Sequence, residues 1–302
     1  MYNPAIAQQT PQMQLVDIPL QNYHKTALFE KVFNSPEKTL HYIKHPVIEF
    51  EIDEPQSKDG LTVDETTFWA DYYEDPNFKY EWNNSKLEEI PMSSVYGMIC
   101  SDWFITLIKA FLKSNNIDYI IFNDFGFKLN LPQKTVIRRP DYSFILGEKA
   151  VNCDLEATSY KGIYDICIEI LSHSKPQYIE KDTVDKKLEY CQGKIKEYYI
   201  IDQAKKHTIF YRLNKKGFYT QIKPKNGIIH SEVLPGFQFR LNDIYKQPNN
   251  SVLMNDPVYQ SYVEVELQQE RKAKEAALAL AEQERIAKER LEQLLRDKGI
   301  VL

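Results

Sequence analysis

At 302 residues, 43% of them hydrophobic and 13% aromatic, the chain can hold one large domain with extensions or two modest ones, and its composition excludes global disorder. No run approaches about 18 uninterrupted apolar residues, the opening MYNPAIAQQTPQMQLVD lacks the basic-then-apolar order of a secretory leader, and the four cysteines form no CxxC pair, so a cytoplasmic protein with reduced thiols, no membrane span and no cysteine-ligated zinc is expected. The net charge of −5 is uneven: residues 1–100 carry 16 acids against 7 lysines, leaving about +4 for the rest.

Residues 1–75 read as an N-terminal extension, with a short helix around Thr26–Phe33 and an acidic turn at EIDEPQSKDG. Residues 76–245 read as an α/β domain. KYEWNNSKLEEI is predicted to be a hairpin turning at Asn83-Asn84-Ser85. Val95 to Leu112 has helical apolar spacing behind the start signal Pro91, Ser93 and Ser94. Strands are predicted at Ile117–Phe122, Gly126–Leu131, YSFIL and DICIEIL. A helix follows over Asp182–Gln192, then a buried strand at EYYIID and a hairpin, HTIFYRL with GFYTQIK.

Between Gln203 and Ser231 run Lys205, Lys206, Arg212, Lys215, Lys216, Lys223 and Lys225 without an acid. Such a run is either a phosphate-attracting surface or a solvated hairpin whose lysines discourage edge aggregation. Residues 246–260 are rich in Pro and Asn and read as a linker. In the tail, 261–302, the residues Ala273, Ala277, Leu280, Glu284, Ala287, Leu291 and Leu294 form a weak heptad-like seam. It fits a dimeric coiled coil or a single exposed or docked helix.

The chemistry concentrates between Arg138 and Ile201. In DICIEIL the alternation sets Ile166, Ile168 and Ile170 on one face and Cys167, Glu169 and Leu171 on the other. A carboxylate inside so apolar a strand is costly unless a metal ion or a basic partner compensates it. A second acid, Asp141, opens the apolar strand YSFIL. Two acids on adjacent strands can bridge Mg²⁺, which prefers oxygen ligands and keeps several waters. Asp182, Lys186 and Tyr190, spaced i, i+4, i+8, share a helix face. That face either delivers Lys186 to the two acids or carries a surface ion pair, Asp182 with Lys186, anchored by Tyr190.

The series Pro140-Asp141, Asp165-Ile-Cys-Ile-Glu169-Ile-Leu-Ser172, Asp182-x-x-x-Lys186-x-x-x-Tyr190 and Glu197-Tyr198-Tyr199 resembles the Uma-type restriction endonuclease family of the PD-(D/E)XK nuclease superfamily. The resemblance runs from roughly Lys79 to Pro235, includes Tyr80-Glu81 through Leu87-Glu88-Glu89, and is joined by a similar Ala/Glu/Arg-rich tail. It implies a restriction-endonuclease-like α/β fold, a central mixed sheet flanked by helices with a C-terminal helical tail. It also implies hydrolysis of DNA phosphodiester bonds with Mg²⁺, or Mn²⁺ in its place.

By the same resemblance Asp141 and Glu169 are the metal ligands and Lys186 the catalytic lysine. Glu81 is a candidate outer contact to metal or water, and Ser172, Asp182 and Tyr190 give support. Tyr164 stands where the family usually has proline, Lys194 where it has glycine and Tyr199 where it has tryptophan. No histidine follows Pro91-Met92-Ser93-Ser94, although many members carry one. The expected partners are DNA and a second copy of the chain. The alternative is an inactive nuclease fold that binds partners through its tail.

Overall fold

Asp64 accepts the Thr67 N–H (2.7 Å) and so caps a short helix, α1 (Glu65–Thr67), which continues as a π turn over Phe68–Tyr72. The computed structural model describes residues 55–297, so the helix expected at Thr26–Phe33 lies outside the described residues. Phe68 is fully buried against Tyr80, Trp82, Leu87 and Ile137. Backbone bonds from Gly60 to Leu87 and from Val63 to Ser85, each 2.8 Å, tie the same segment down. The boundary expected at residue 75 therefore falls inside a packed layer. The aromatic residues of FWADYY supply apolar area that a solvated extension would leave exposed.

The expected hairpin forms as β1 (Tyr80–Asn83) and β2 (Lys86–Glu89). Its turn residues Asn84 and Ser85 have φ of 46° and 79°, the left-handed geometry a two-residue hairpin turn requires. The helix α2 (Val95–Ser114) starts where Ser94 Oγ accepts the Gly97 N–H, at 3.0 Å. By length and composition α2 is apolar enough to cross a bilayer, although polar residues interrupt its apolar run. More than half of it is buried inside the fold, as befits a core helix.

Next come β3 (Tyr119–Asn123), β4 (Phe127–Asn130), β5 (Thr135–Arg138) and β6 (Tyr142–Leu146). Then follow α3 (Glu148–Val151) and β7 (Ile166–Ile170). A helical stretch is built from α4 (Pro176–Glu180), a π turn over Lys181–Asp185, and α5 (Lys186–Gln192). The strands β8 (Glu197–Ile201), β9 (Ile209–Leu213) and β10 (Tyr219–Gln221) complete a six-stranded sheet in the order β10-β9-β8-β7-β6-β3. Within it only β7 and β8 run parallel, so the sheet is mixed, as expected. A second, antiparallel sheet, β2-β1-β5-β4, was not foreseen.

Every residue of β7 and β8 is buried. One face, with Ile166, Ile168, Ile170, Tyr199 and Ile201, packs on Phe104, Ile108 and Phe111 of α2. The other, with Cys167, Leu171, Tyr198 and Ile200, meets Tyr190 of α5. Glu169 belongs to this second face.

Beyond the pair β11 (Ile228–His230) and β12 (Gln238–Arg240) come α6 (Asp243–Lys246), α7 (Asn250–Leu253) and α8 (Gln260–Asp297). The stretch expected as a linker is instead part of the fold: Leu253, Val258 and Tyr259 are buried, and Tyr259 donates to Asp243 at 2.7 Å. The prolines and asparagines mark its turns, while the apolar residues between them dock on the core. Tyr262 and Val263 seat the start of α8 there too, whereas every described side chain from Glu270 to Arg290 is exposed.

Candidate active site

In the antiparallel pairing of β6 with β7, Tyr142 faces Ile168, so one further step along the ladder sets Asp141 opposite Glu169. Asp141 Oδ2 accepts the Ile170 N–H at 2.6 Å, which fixes its carboxylate at the end of β7. Glu169 is 3% exposed; its Oε1 accepts from the Tyr190 hydroxyl at 2.9 Å and lies 3.0 Å from Lys186 Nζ. The same Nζ is 3.0 Å from Glu81 Oε1 and 3.4 Å from Asp182 Oδ1. Asp182 and Lys186 are thus buried rather than a surface ion pair, and the stripe they share with Tyr190 faces the two strand acids. Lys187 points elsewhere, with its Nζ 4.6 Å from the Tyr211 ring.

The π turn explains a contact that spacing did not suggest. Lys181 Nζ reaches Glu81 Oε2 at 3.3 Å. Five residues apart on an α-helix, Lys181 and Lys186 would diverge by roughly 140°. Here the Lys186 N–H bonds the Lys181 carbonyl in the i→i+5 pattern, and both lysines come to one carboxylate. Tyr198 pins the turn by donating to the Asp182 carbonyl at 2.8 Å.

Arg138 of β5 is fully buried and contacts Glu81 (3.1 Å), Glu88 (2.5 Å) and Glu189 (2.6 Å), while Lys134 adds a 2.6 Å contact to Glu189. The position of Arg138, three residues before Asp141 in RRPD, is the signal that could have marked it. Glu81, expected as an outer contact to metal or water, is enclosed instead. It meets Lys186, Lys181 and Arg138 and accepts the Arg139 N–H at 2.9 Å. It anchors the cations. Ser172 is buried, and its Oγ bonds that of Ser174 at 3.0 Å.

The charges do not balance. Five acids (Glu81, Glu88, Glu169, Asp182, Glu189) are joined by four cations (Lys134, Arg138, Lys181, Lys186), and Asp141 adjoins them as a sixth acid. Among the described residues no lysine or arginine reaches Asp141 at ion-pair distance. The excess is two negative charges. Burial pushes the Asp141 carboxyl up to about 7, against the Ile170 N–H and Lys186, which pull it down. Burial also raises Glu169 well above its ordinary value, with Asp182, Asp141 and Glu81 adding to it and Lys186 opposing. Glu81 goes the other way: burial is outweighed by Lys186, Lys181 and Arg138, which hold it ionised. Burial would discharge Lys186, but Glu169, Glu81 and Asp182 keep it charged.

An oxygen-only donor pair in a cluster where acids outnumber cations suits a hard divalent cation that keeps much of its water. Among the described residues no group of three or more acids, histidines or cysteines is arranged to enclose a metal ion. A separate concavity of about 590 Å³ opens at the far end of the sheet. Two of its lysines, Lys149 and Lys196, are each 2.9 Å from Asp165.

A mixed sheet bearing an acid pair, with a buried lysine laid over it from the following helix, defines a nuclease-type α/β protein. The Uma2 family, described as "Putative restriction endonuclease", matches residues 67–242, and the chain belongs to it. Among solved structures the chain is similar to one described as a putative nuclease belonging to DUF820 from Anabaena variabilis ATCC 29413. The two are 13% identical, with 56% of this chain and 90% of that one covered and a TM-score of 0.44. No curated protein matches the chain.

Proposed function

We propose that the protein is a Mg²⁺-dependent endonuclease that hydrolyses DNA phosphodiester bonds, with Mn²⁺ able to take the place of Mg²⁺. The observation that carries this reading is the pair of strand acids Asp141 and Glu169, in a cluster where six acids meet four cations, beside a fixed ammonium, Lys186. Asp141 and Glu169 would hold the ion, which when bound neutralises phosphate charge and acidifies a water. Tyr190 keeps Glu169 oriented. Lys186 sets a positive charge beside the reacting phosphate, where charge grows in the transition state. Arg138 and Lys181 also contact Glu81, so Lys186 is not its sole counter-charge.

A second reading has its own observation. From Glu270 to Arg290 the helix α8 carries only exposed described side chains, which suits a partner-binding arm on an inactive nuclease fold. Supercoiled plasmid incubated with Mg²⁺ or Mn²⁺ separates the two. The nuclease reading expects nicking and linearisation by the wild type and none by Glu169→Gln. Equal products from both proteins would assign the cleavage to a contaminant, and intact plasmid in both would leave the binding reading.

A further inference from the structure

The parallel strands β7 and β8 end side by side, with Ile170 opposite Ile201. Just past that point His173 Nε2 lies 2.6 Å from Asp202 Oδ1. Asp202 is fully buried, and its two oxygens also accept the N–H groups of Ala204 (2.8 Å), Lys206 (3.0 Å) and His207 (2.8 Å). Burial pushes this carboxyl up, but the bonds from His173 and from the loop outweigh it and hold it below its ordinary value. An ionised carboxylate can only accept, so Nε2 carries the hydrogen. In the neutral ring Nδ1 then presents a lone pair. The His173 side chain is 30% exposed, and among the described residues no hydrogen bond reaches Nδ1.

The pair stands at the same end of the sheet as the acids. Asp202 continues the alternation of Tyr198 and Ile200, on the face that carries Glu169. Two strand rises and one strand spacing put its Cα about 8 Å from that of Glu169. The first turn of α2 borders the pair, since the side chains of Ser94 and Gln203 are hydrogen-bonded. A buried carboxylate that orients a part-exposed imidazole while the other ring nitrogen is left without a hydrogen bond among the described residues is the arrangement of a general base.

We propose that His173, oriented by Asp202, is the catalytic base that takes the proton of the attacking water, an inference that rests on the nuclease reading above. The water oxygen bonds to phosphorus as the bond from phosphorus to the leaving ester oxygen breaks. The water proton passes to His173 Nδ1 and from there to solvent, and the leaving oxygen takes a proton from bulk water. Asp202 acts through the ring and is a positioning residue.

Full-length wild type, His173→Ala, His173→Gln and Glu169→Gln are compared on a fluorescent DNA duplex with Mg²⁺. Single-turnover rates and DNA affinity by anisotropy are measured for each. Both His173 variants are expected to cleave roughly a hundredfold or more slowly, with DNA affinity little changed, and added imidazole should restore part of the rate in His173→Ala. His173→Gln can keep an N–H donor near the Nε2 position for Asp202 but offers no base. A wild-type rate in His173→Gln would therefore reduce His173 to a prop for the loop and overturn the proposal. So would an undiminished rate in His173→Ala. A wild type as inert as Glu169→Gln would overturn the nuclease reading itself, and the base with it.

Discussion

Asp141 is held in its charged form only against its surroundings. Its folded pKa of about 7 lies above the ordinary 3.8, so the protein bears an electrostatic cost above pH 7 that fades as Asp141 takes up a proton between pH 7 and 4. Asp141→Asn removes that cost while keeping an acceptor for the Ile170 N–H. The variant should melt higher than wild type at pH 8, by roughly 1–3 kcal/mol after allowance for partial exposure, and should lose the advantage near pH 4. Thermal melts across that range check it; equal melting at pH 8 would mean the carboxylate is well compensated.

Lys186 and Lys187 give a sharper contrast. Lys186→Ala strips the compensation from Glu169, Glu81 and Asp182 and should cost about 3–5 kcal/mol in stability. Assayed below its melting temperature, it should also slow cleavage by roughly a hundredfold or more. Lys187→Ala loses a contact with the Tyr211 ring worth about 0.5–1 kcal/mol and should cleave normally. Greater damage from Lys187→Ala would contradict the helix register.

At the scale of elements, the end of α5 shows how one residue bears on a helix. The Ile195 N–H bonds the Tyr190 carbonyl (3.0 Å) and the Lys194 N–H bonds that of Cys191 (3.2 Å), a Schellman close with Lys194 at φ 65°. A lysine in that left-handed position is strained where glycine is not. Lys194→Gly should stabilise the protein by up to about 1 kcal/mol, read as a raised denaturant midpoint with unchanged slope. A lowered midpoint would show that the side chain contributes more than the strain costs.

The elements legible in the sequence were those whose burial is continuous. YSFIL, DICIEIL and EYYIID could hardly be anything but central strands, and the NNS turn fixed its hairpin. The strand β5 escaped because only Thr135, Val136 and Ile137 separate Lys134 from Arg138. The π turn escaped because an inserted residue changes the register of a helix without changing its composition. Asp141, Glu169 and Lys186 could be named because acids in apolar strands are conspicuous. The other cations around Glu81, Arg138 and Lys181, could not, since they come from a strand of the second sheet and from a π turn that only the folded chain brings together.

For the whole molecule, the point at which the tail can be removed follows from packing rather than composition. Val258, Tyr259, Tyr262 and Val263 are buried, and at about 1.5–3 kcal/mol each their loss would consume most of a typical domain's stability. Truncation after Asn255 should therefore unfold the protein, whereas truncation after Lys272 should leave its melting and cleavage intact. If the exposed arm, roughly 40 Å long from Glu270 onward, pairs with a second copy through its Ala and Leu seam, that shorter truncation should halve the mass seen by light scattering. An unchanged mass would leave α8 a solvated helix.

The central claim is that Asp141 and Glu169 form a divalent-cation site, and titration calorimetry with Mn²⁺ in the absence of DNA tests it most directly. One ion should bind the wild type, more tightly at pH 8 than at pH 6 because Asp141 must first lose its proton, and binding should vanish in Asp141→Asn and in Glu169→Gln. Equal Mn²⁺ affinity in all three proteins would place the metal elsewhere and contradict the account.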